Sequence, residues 1–194
     1  MDRDLRIAVI DKNPLRAAIL EEGLREAGHS GVVRIDDTAD LLDRIRVIDP
    51  DVILIDLESP SRDVLEQMFQ VSRTVARPVA MFIDRSDAAM IDAAVDAGVS
   101  AYIVDGLRKD RVKPILDMTI SRFNAFARLK DELERTKSQL EDRKAIDRAK
   151  MLVMRAKAIS EEQAYALMRK TAMNENKKIA DIARSIITAA ELLR

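Results

Sequence analysis

The chain has 194 residues, 47% of them hydrophobic and 35% charged, and a formal net charge of −1, enough for one standard domain plus a smaller appendage with a buried core. The lack of cysteine excludes a disulfide framework and a thiolate metal site. The charged opening Met1-Asp2-Arg3-Asp4 argues against a signal peptide, and no apolar run nears the ~20 residues that span a bilayer. A cytoplasmic protein with no membrane partner is expected.

Residues 6–126 read as strands and helices in alternation. The strand candidates are Arg6–Ile10, Val32–Ile35, Val52–Asp56, Val79–Ile83 and Ala101–Val104. Several are continuous aliphatic runs, the pattern of parallel strands covered on both faces. The first helix starts at Asn13-Pro14, a cap followed by proline at the first helical position, and ends at Gly28. A second is expected from about Thr38 to just before Pro50, a third over about Val64–Ser72, a fourth over Ala88–Ala97 and a fifth from Lys109 onward. Five such units make a doubly wound parallel sheet in flavodoxin-like order.

From Thr119 to about Ile159 there is neither proline nor glycine, so one continuous helix is expected. Phe126, Leu129, Leu133, Thr136 and Leu140 alternate spacings of three and four, a heptad-like seam over about two repeats. That seam reads either as a short coiled coil, which would pair two copies of the chain, or as a linker helix packing on its own domain. Ser160-Glu161-Glu162-Gln163 has the form of a capping box and opens a new helix. Ala164, Leu167, Met168 and Thr171 share one face of it, and Asn174 reads as a further cap. Ile179, Ile182, Ala183, Ile186, Ala190 and Leu193 then form a helical stripe. With Ala149, Leu152, Val153 and Ala156 before them, three amphipathic helices can close a small core. The expected division is 1–126, 127–146 and 147–194.

Charge is uneven along the chain. Residues 1–127 carry 17 Lys/Arg against 23 Asp/Glu, whereas residues 147–194 carry 10 against 6. A basic tail behind an acidic body suits a nucleic-acid-binding output, although ordinary scatter on a solvated surface gives the same modest excess. Two Tyr, four Phe and no Trp exclude a broad aromatic stacking platform. No phosphate loop, dinucleotide fingerprint or Cys/His cluster is present, His29 sits in a Gly28-His29-Ser30-Gly31 turn that reads as solvated, and no cofactor is expected.

Function in such sheets lies at the carboxyl ends of the strands. Asp11 and Asp56 end neighbouring strands, where two carboxylates could hold Mg²⁺ with Asp56 as a phosphate-accepting nucleophile. The arrangement resembles the receiver domain of bacterial response regulators over about residues 5–125. Three family positions depart from the pattern. The second acidic residue is replaced by Lys12, the hydroxyl at the fourth strand end by Ile83, and the lysine at the fifth by Asp105. Lys12 would oppose Mg²⁺ and could pair with Asp56. The resemblance, with these departures, implies a vestigial phosphoacceptor pocket and a receiver that acts as a docking surface.

The tail carries a second resemblance. Arg148-Ala149-Lys150, then Ser160 followed by Ala164-Tyr165, then Ala172-Met173 followed by Lys177-Lys178, are spaced as in ANTAR domains, the family named for antitermination regulators including AmiR and NasT. The whole architecture resembles NasT-type nitrate/nitrite regulators, whose receivers are similarly degenerate. That resemblance implies a non-enzymatic antiterminator that binds tandem hairpins in leader RNA, held inactive by a nitrate/nitrite sensor protein of the NasS kind. A DNA-binding response regulator and a protein–protein switch without nucleic acid are the alternatives. Lys150, Arg155, Arg169, Lys177 and Lys178 are the candidate RNA-binding cations, Tyr165 the candidate stacking residue and Asn174 a candidate reader of base edges, unless it is spent on capping. Tyr165 is as well suited to packing between helices, and Met154 and Met173 are better read as core.

Overall fold

The computed structural model describes residues 4–58 and 60–192. It forms two compact units, Met1–Ala127 and Arg128–Arg194. In the first, five parallel strands, β1 (Arg6–Ile10), β2 (Gly31–Ile35), β3 (Val52–Leu57), β4 (Val79–Ile83) and β5 (Ala101–Val104), lie in the order β2-β1-β3-β4-β5. That is the flavodoxin-like order expected from the sequence. The aliphatic runs are continuous because each central strand is covered on both faces. Residues Ala8, Ile10, Ile53, Ile55 and Met81 pack with α2 (Leu41–Ile48) and α3 (Arg62–Thr74) on one face. Ile7, Val9, Leu54 and Phe82 pack on the other with α1 (Pro14–Glu26) and with Val112, Ile115 and Leu116, on the first turns of α5 (Lys109–Lys157). Helix α4 (Ala88–Asp96) completes the set.

Local chemistry fixes the helix starts. Asn13 caps α1, its side-chain oxygen accepting from Leu15 N–H, with proline in the first turn. Ser61 and Asp87 cap α3 and α4 the same way. Helix α2 begins at Leu41 and not near Thr38. Residue Asp40 holds a left-handed φ of 48°, and Asp37 bends the chain by accepting from Ala39 N–H. Gly23 sits where α1 crosses α5. A Cβ there would lie 2.8 Å from Val112 Cβ and 3.0 Å from the Lys109 carbonyl oxygen. Gly23→Ala is therefore expected to lose about 1–3 kcal/mol through overpacking despite its better helix propensity, as read by urea denaturation.

The second unit holds the C-terminal part of α5, α6 (Glu161–Glu175) and α7 (Ile179–Leu192). The capping box at Ser160 and Gln163 forms as expected, each side chain bonding the other's backbone. Asn174 does not act as a cap. It lies in the last turn of α6, and the helix runs on until Asn176 takes a left-handed φ of 53° and closes it. The core is small: Ala149, Val153, Ala164, Met168 and Ala183, flanked by Ile146, Met154, Ile179 and Ile186. Met154 joins it, but Met173 is 72% exposed on the far flank of α6 and is not core. Leu193 lies outside the described residues. The seam positions Phe126, Leu129, Leu133 and Leu140 are all more than half exposed, and the Thr136 hydroxyl folds back onto the Glu132 carbonyl. No helix among the described residues is long and apolar enough to cross a membrane.

Candidate functional site

The candidate site residues fall into two groups, one in each unit. In the first, Asp11 follows β1 and Asp56 is the fifth residue of β3, so the sheet brings both carboxylates to the carboxyl ends of neighbouring strands. Both are buried, 3% and 2% exposed. The cation that meets Asp56 is Arg16, in the first turn of α1, and not Lys12. Arg16 Nε and Nη2 each lie 2.7 Å from one Asp56 carboxylate oxygen, a bidentate fork, and Nη1 reaches Asp84 Oδ1 at 2.9 Å. Lys12 is exposed. It follows a strand that has already ended, and its side chain turns to solvent, whereas α1 delivers Arg16 across the strand ends. Ile83 is buried and offers no hydroxyl, and Asp105 is exposed in a left-handed turn with φ 47°.

Burial raises the Asp56 carboxyl above its ordinary value, and the hydrogen bonds and charge of Arg16 offset only part of that rise. The same bonds hold the Arg16 guanidinium firmly protonated. We take the pair as ionised, because a neutral acid would forfeit one of two short charge-assisted bonds. Asp11 is different. Its Oδ1 accepts from Asn13 N–H at 2.8 Å, but its Oδ2 is buried with no hydrogen-bond partner. Burial, with Asp56 nearby, pushes its pKa up to about 6. A carboxyl whose folded pKa lies above its unfolded value near 3.8 stabilises the fold below that value, and the contribution is lost as pH rises toward 6. Stability should thus fall by on the order of 2 kcal/mol between pH 4 and 6 from this group. Denaturation midpoints across that window should flatten in Asp11→Asn.

A divalent cation at this site does not fit the residues present. Both oxygens of Asp56 are engaged by a fixed positive charge. His29, expected to be solvated, is 5% exposed and its Nδ1 accepts from Leu5 N–H at 3.4 Å. Its partner lies 24 residues earlier, which no local pattern reveals.

In the second unit, the candidate cations differ in how free they are. Lys150 Nζ is tied to Asp147 at 2.8 Å and to Glu161 at 2.7 Å, with its side chain 17% exposed. Lys177 Nζ pairs with Glu175 at 2.8 Å. Arg155, Arg169 and Lys178 are exposed, and no acidic partner is seen for them among the described residues. Tyr165 is 43% exposed and Asn174 fully on the surface, so neither is used in the core. Tyr165, Arg169 and Met173 recur at spacings of four along one flank of α6. Arg155 lines a largely apolar groove together with Leu152, Leu167, Ile186 and Ala190. Ala149 and Ala172, small enough to admit close approach, are both buried, Ala149 within the three-helix core.

The ANTAR domain family matches residues 134–187, thus beginning within α5 ahead of the three-helix core. The transcriptional regulatory protein PdtaR of Mycobacterium tuberculosis is 24% identical over 182 residues, covering 94% of this chain and 89% of that one. A nitrate regulatory protein of Klebsiella oxytoca is 34% identical over 82 residues, 42% of this chain and 21% of that one. Among solved structures, the fold of the first unit is shared with the signal receiver domain of a modulated diguanylate cyclase from Desulfovibrio desulfuricans G20 (TM-score 0.54, 16% identity, 63% of this chain and 98% of that chain). A response regulator from Thermotoga maritima gives a TM-score of 0.50 at 19% identity over 59% of this chain and 96% of that one.

Proposed function

We propose that this chain is a non-enzymatic ANTAR-domain response regulator of the NasT type, an RNA-binding antiterminator that binds tandem hairpins in the leader RNA of nitrate or nitrite assimilation genes. Residues 147–194 grip the RNA, with Arg155, Arg169 and Lys178 on phosphates, Tyr165 stacking on a loop base and Asn174 reading a base edge. Lys150 and Lys177 contribute less directly, because each already has acidic partners. The match over residues 134–187 is the observation that carries this reading. The exposed cations and the free aromatic face on α6 support it. The nitrate assignment rests on the Klebsiella oxytoca relative. The regulator is cytoplasmic and is held inactive by a nitrate- or nitrite-sensing protein of the NasS kind. The deciding experiment is a salt titration of binding to a two-hairpin leader RNA against a loop-scrambled control. Equal affinity for both, or none in dilute salt, would refute the proposal.

Two hairpins call for two heads. The exposed seam of Phe126, Leu129, Leu133 and Leu140 supplies the apolar face for a parallel pair of chains. Leu133→Arg is expected to shift a dimer to monomer in sedimentation and to weaken two-hairpin binding at least about tenfold while leaving one-hairpin binding unchanged.

A further inference from the structure

We propose that Arg16 is the resident cation of the receiver unit's strand-end site: its guanidinium fills the place of a divalent metal, closes Asp56 as a phosphoacceptor and straps the connection after β4 to β3 through Asp84. The inference concerns the first unit alone and stands apart from the RNA reading.

Three observations carry it. First, the fork is saturated. Two of its nitrogens take both oxygens of Asp56 and the third takes Asp84, at 2.7, 2.7 and 2.9 Å. A planar guanidinium can grip one carboxylate with two parallel bonds and reach a second with its third nitrogen, whereas an ammonium offers no parallel fork. Second, helix stability does not account for the position of Arg16. It occupies the first turn of α1, where the partial positive charge of the helix end disfavours a cation, and no acidic residue shares that turn. The two carboxylates across the strand ends offset that repulsion. Third, Asp11 leaves Oδ2 buried without a hydrogen-bond partner while lying close enough to Asp56 and Arg16 for their charges to act on it. One carboxylate of the pair is thus satisfied by the internal cation and the other is left over, as expected where a fixed monovalent charge replaces an ion that would have drawn on both.

The chemistry follows. A carboxylate oxygen attacks a phosphodonor well only when its electron density is not drawn into strong hydrogen bonds and the charge of the incoming phosphoryl group is neutralised. Here both Asp56 oxygens accept hydrogen bonds, and a divalent ion would have to enter beside a fixed positive charge. The site therefore responds to neither Mg²⁺ nor phosphodonor, and signals reach this unit by protein contact.

The test uses full-length protein and Mn²⁺ as probe, followed by electron paramagnetic resonance, with Mg²⁺ and acetyl phosphate and intact mass as a second readout. Wild type is expected to show no saturable Mn²⁺ site and no added phosphoryl mass. Arg16→Met frees Asp56 beside Asp11, and one or two carboxylates with waters suffice for such an ion. It is expected to bind Mn²⁺ at least about tenfold more tightly than wild type, and Arg16→Met with Asp56→Asn is expected to lose that gain. A saturable Mn²⁺ site or aspartyl phosphate in wild type overturns the proposal, as does a folded Arg16→Met that ignores Mn²⁺. If Arg16→Met is unfolded in metal-free buffer, recovery of its circular dichroism on adding Mn²⁺ supports the proposal, and no recovery overturns it.

Discussion

Arg16→Ala is expected to destabilise the first unit by about 3–5 kcal/mol, the cost of removing one partner from a buried ion pair and leaving the other charge uncompensated. Asp56 is 2% exposed and Arg16 supplies both of its short hydrogen bonds. Without Arg16 the carboxyl must either ionise unpaired or bind a proton. Its folded pKa, already raised by burial, then rises further, so the loss is largest at neutral pH and shrinks as acid protonates the group. Pairing Arg16→Met with Asp56→Asn removes both charges and should recover more than half of the loss, since neutralising a whole buried pair is far cheaper than halving it. Urea denaturation of the two variants at pH 7 and pH 5 measures both effects. Equal losses at the two pH values would show that Arg16 acts through packing alone.

Charge reversal at the free cations of the second unit should have the larger functional effect. Arg155→Glu with Lys178→Glu is expected to weaken hairpin binding about a hundredfold in low salt, roughly tenfold per residue, and to reduce the slope of log affinity against log salt by about 2. Both residues are exposed, with no acidic partner seen among the described residues, so neither change breaks an internal contact. Lys177→Glu offers a contrast. It puts like charge beside Glu175 and breaks a pair, so its effect on RNA is smaller and mixed with a local disturbance at the end of α6. Fluorescence anisotropy with one hairpin, from low to physiological salt, separates the two cases. An unchanged slope in the Arg155 and Lys178 double variant would remove these residues from the phosphate contacts.

The strands were legible because burial on both faces leaves an unbroken aliphatic run, and the helix starts at Asn13 and Ser160 because their caps act over three residues or fewer. Asp11 and Asp56 were legible from topology, since strand ends are where a doubly wound sheet gathers polar side chains. Arg16 was not. Its partners lie 40 residues away at Asp56 and on a third segment at Asp84, and adjacency in the sequence favoured Lys12. His29 escaped for the same reason, its backbone partner being on a different segment. Asn174 was misread because a cap-forming residue type says nothing about whether the helix has ended. Here Asn176, two positions later, adopts the left-handed turn. Met173 was misread because apolarity alone does not assign a face, and it lies about 100° round the helix from Ala172, which is in the core.

The alanines at the centre of the C-terminal unit have a thermodynamic consequence. Ala149, Ala164 and Ala183 are wholly enclosed yet contribute few methyl groups, leaving Met168, Val153 and Ile182 as the larger buried side chains. A three-helix module of this size shields little hydrocarbon from water and has a thin margin against unfolding. Any nucleic acid that grips only the folded form adds its own binding free energy to that margin, about 2.7 kcal/mol at a hundredfold excess over the dissociation constant. Melting of this segment should therefore be strongly ligand-dependent, so that the output head becomes rigid chiefly while it is holding a transcript.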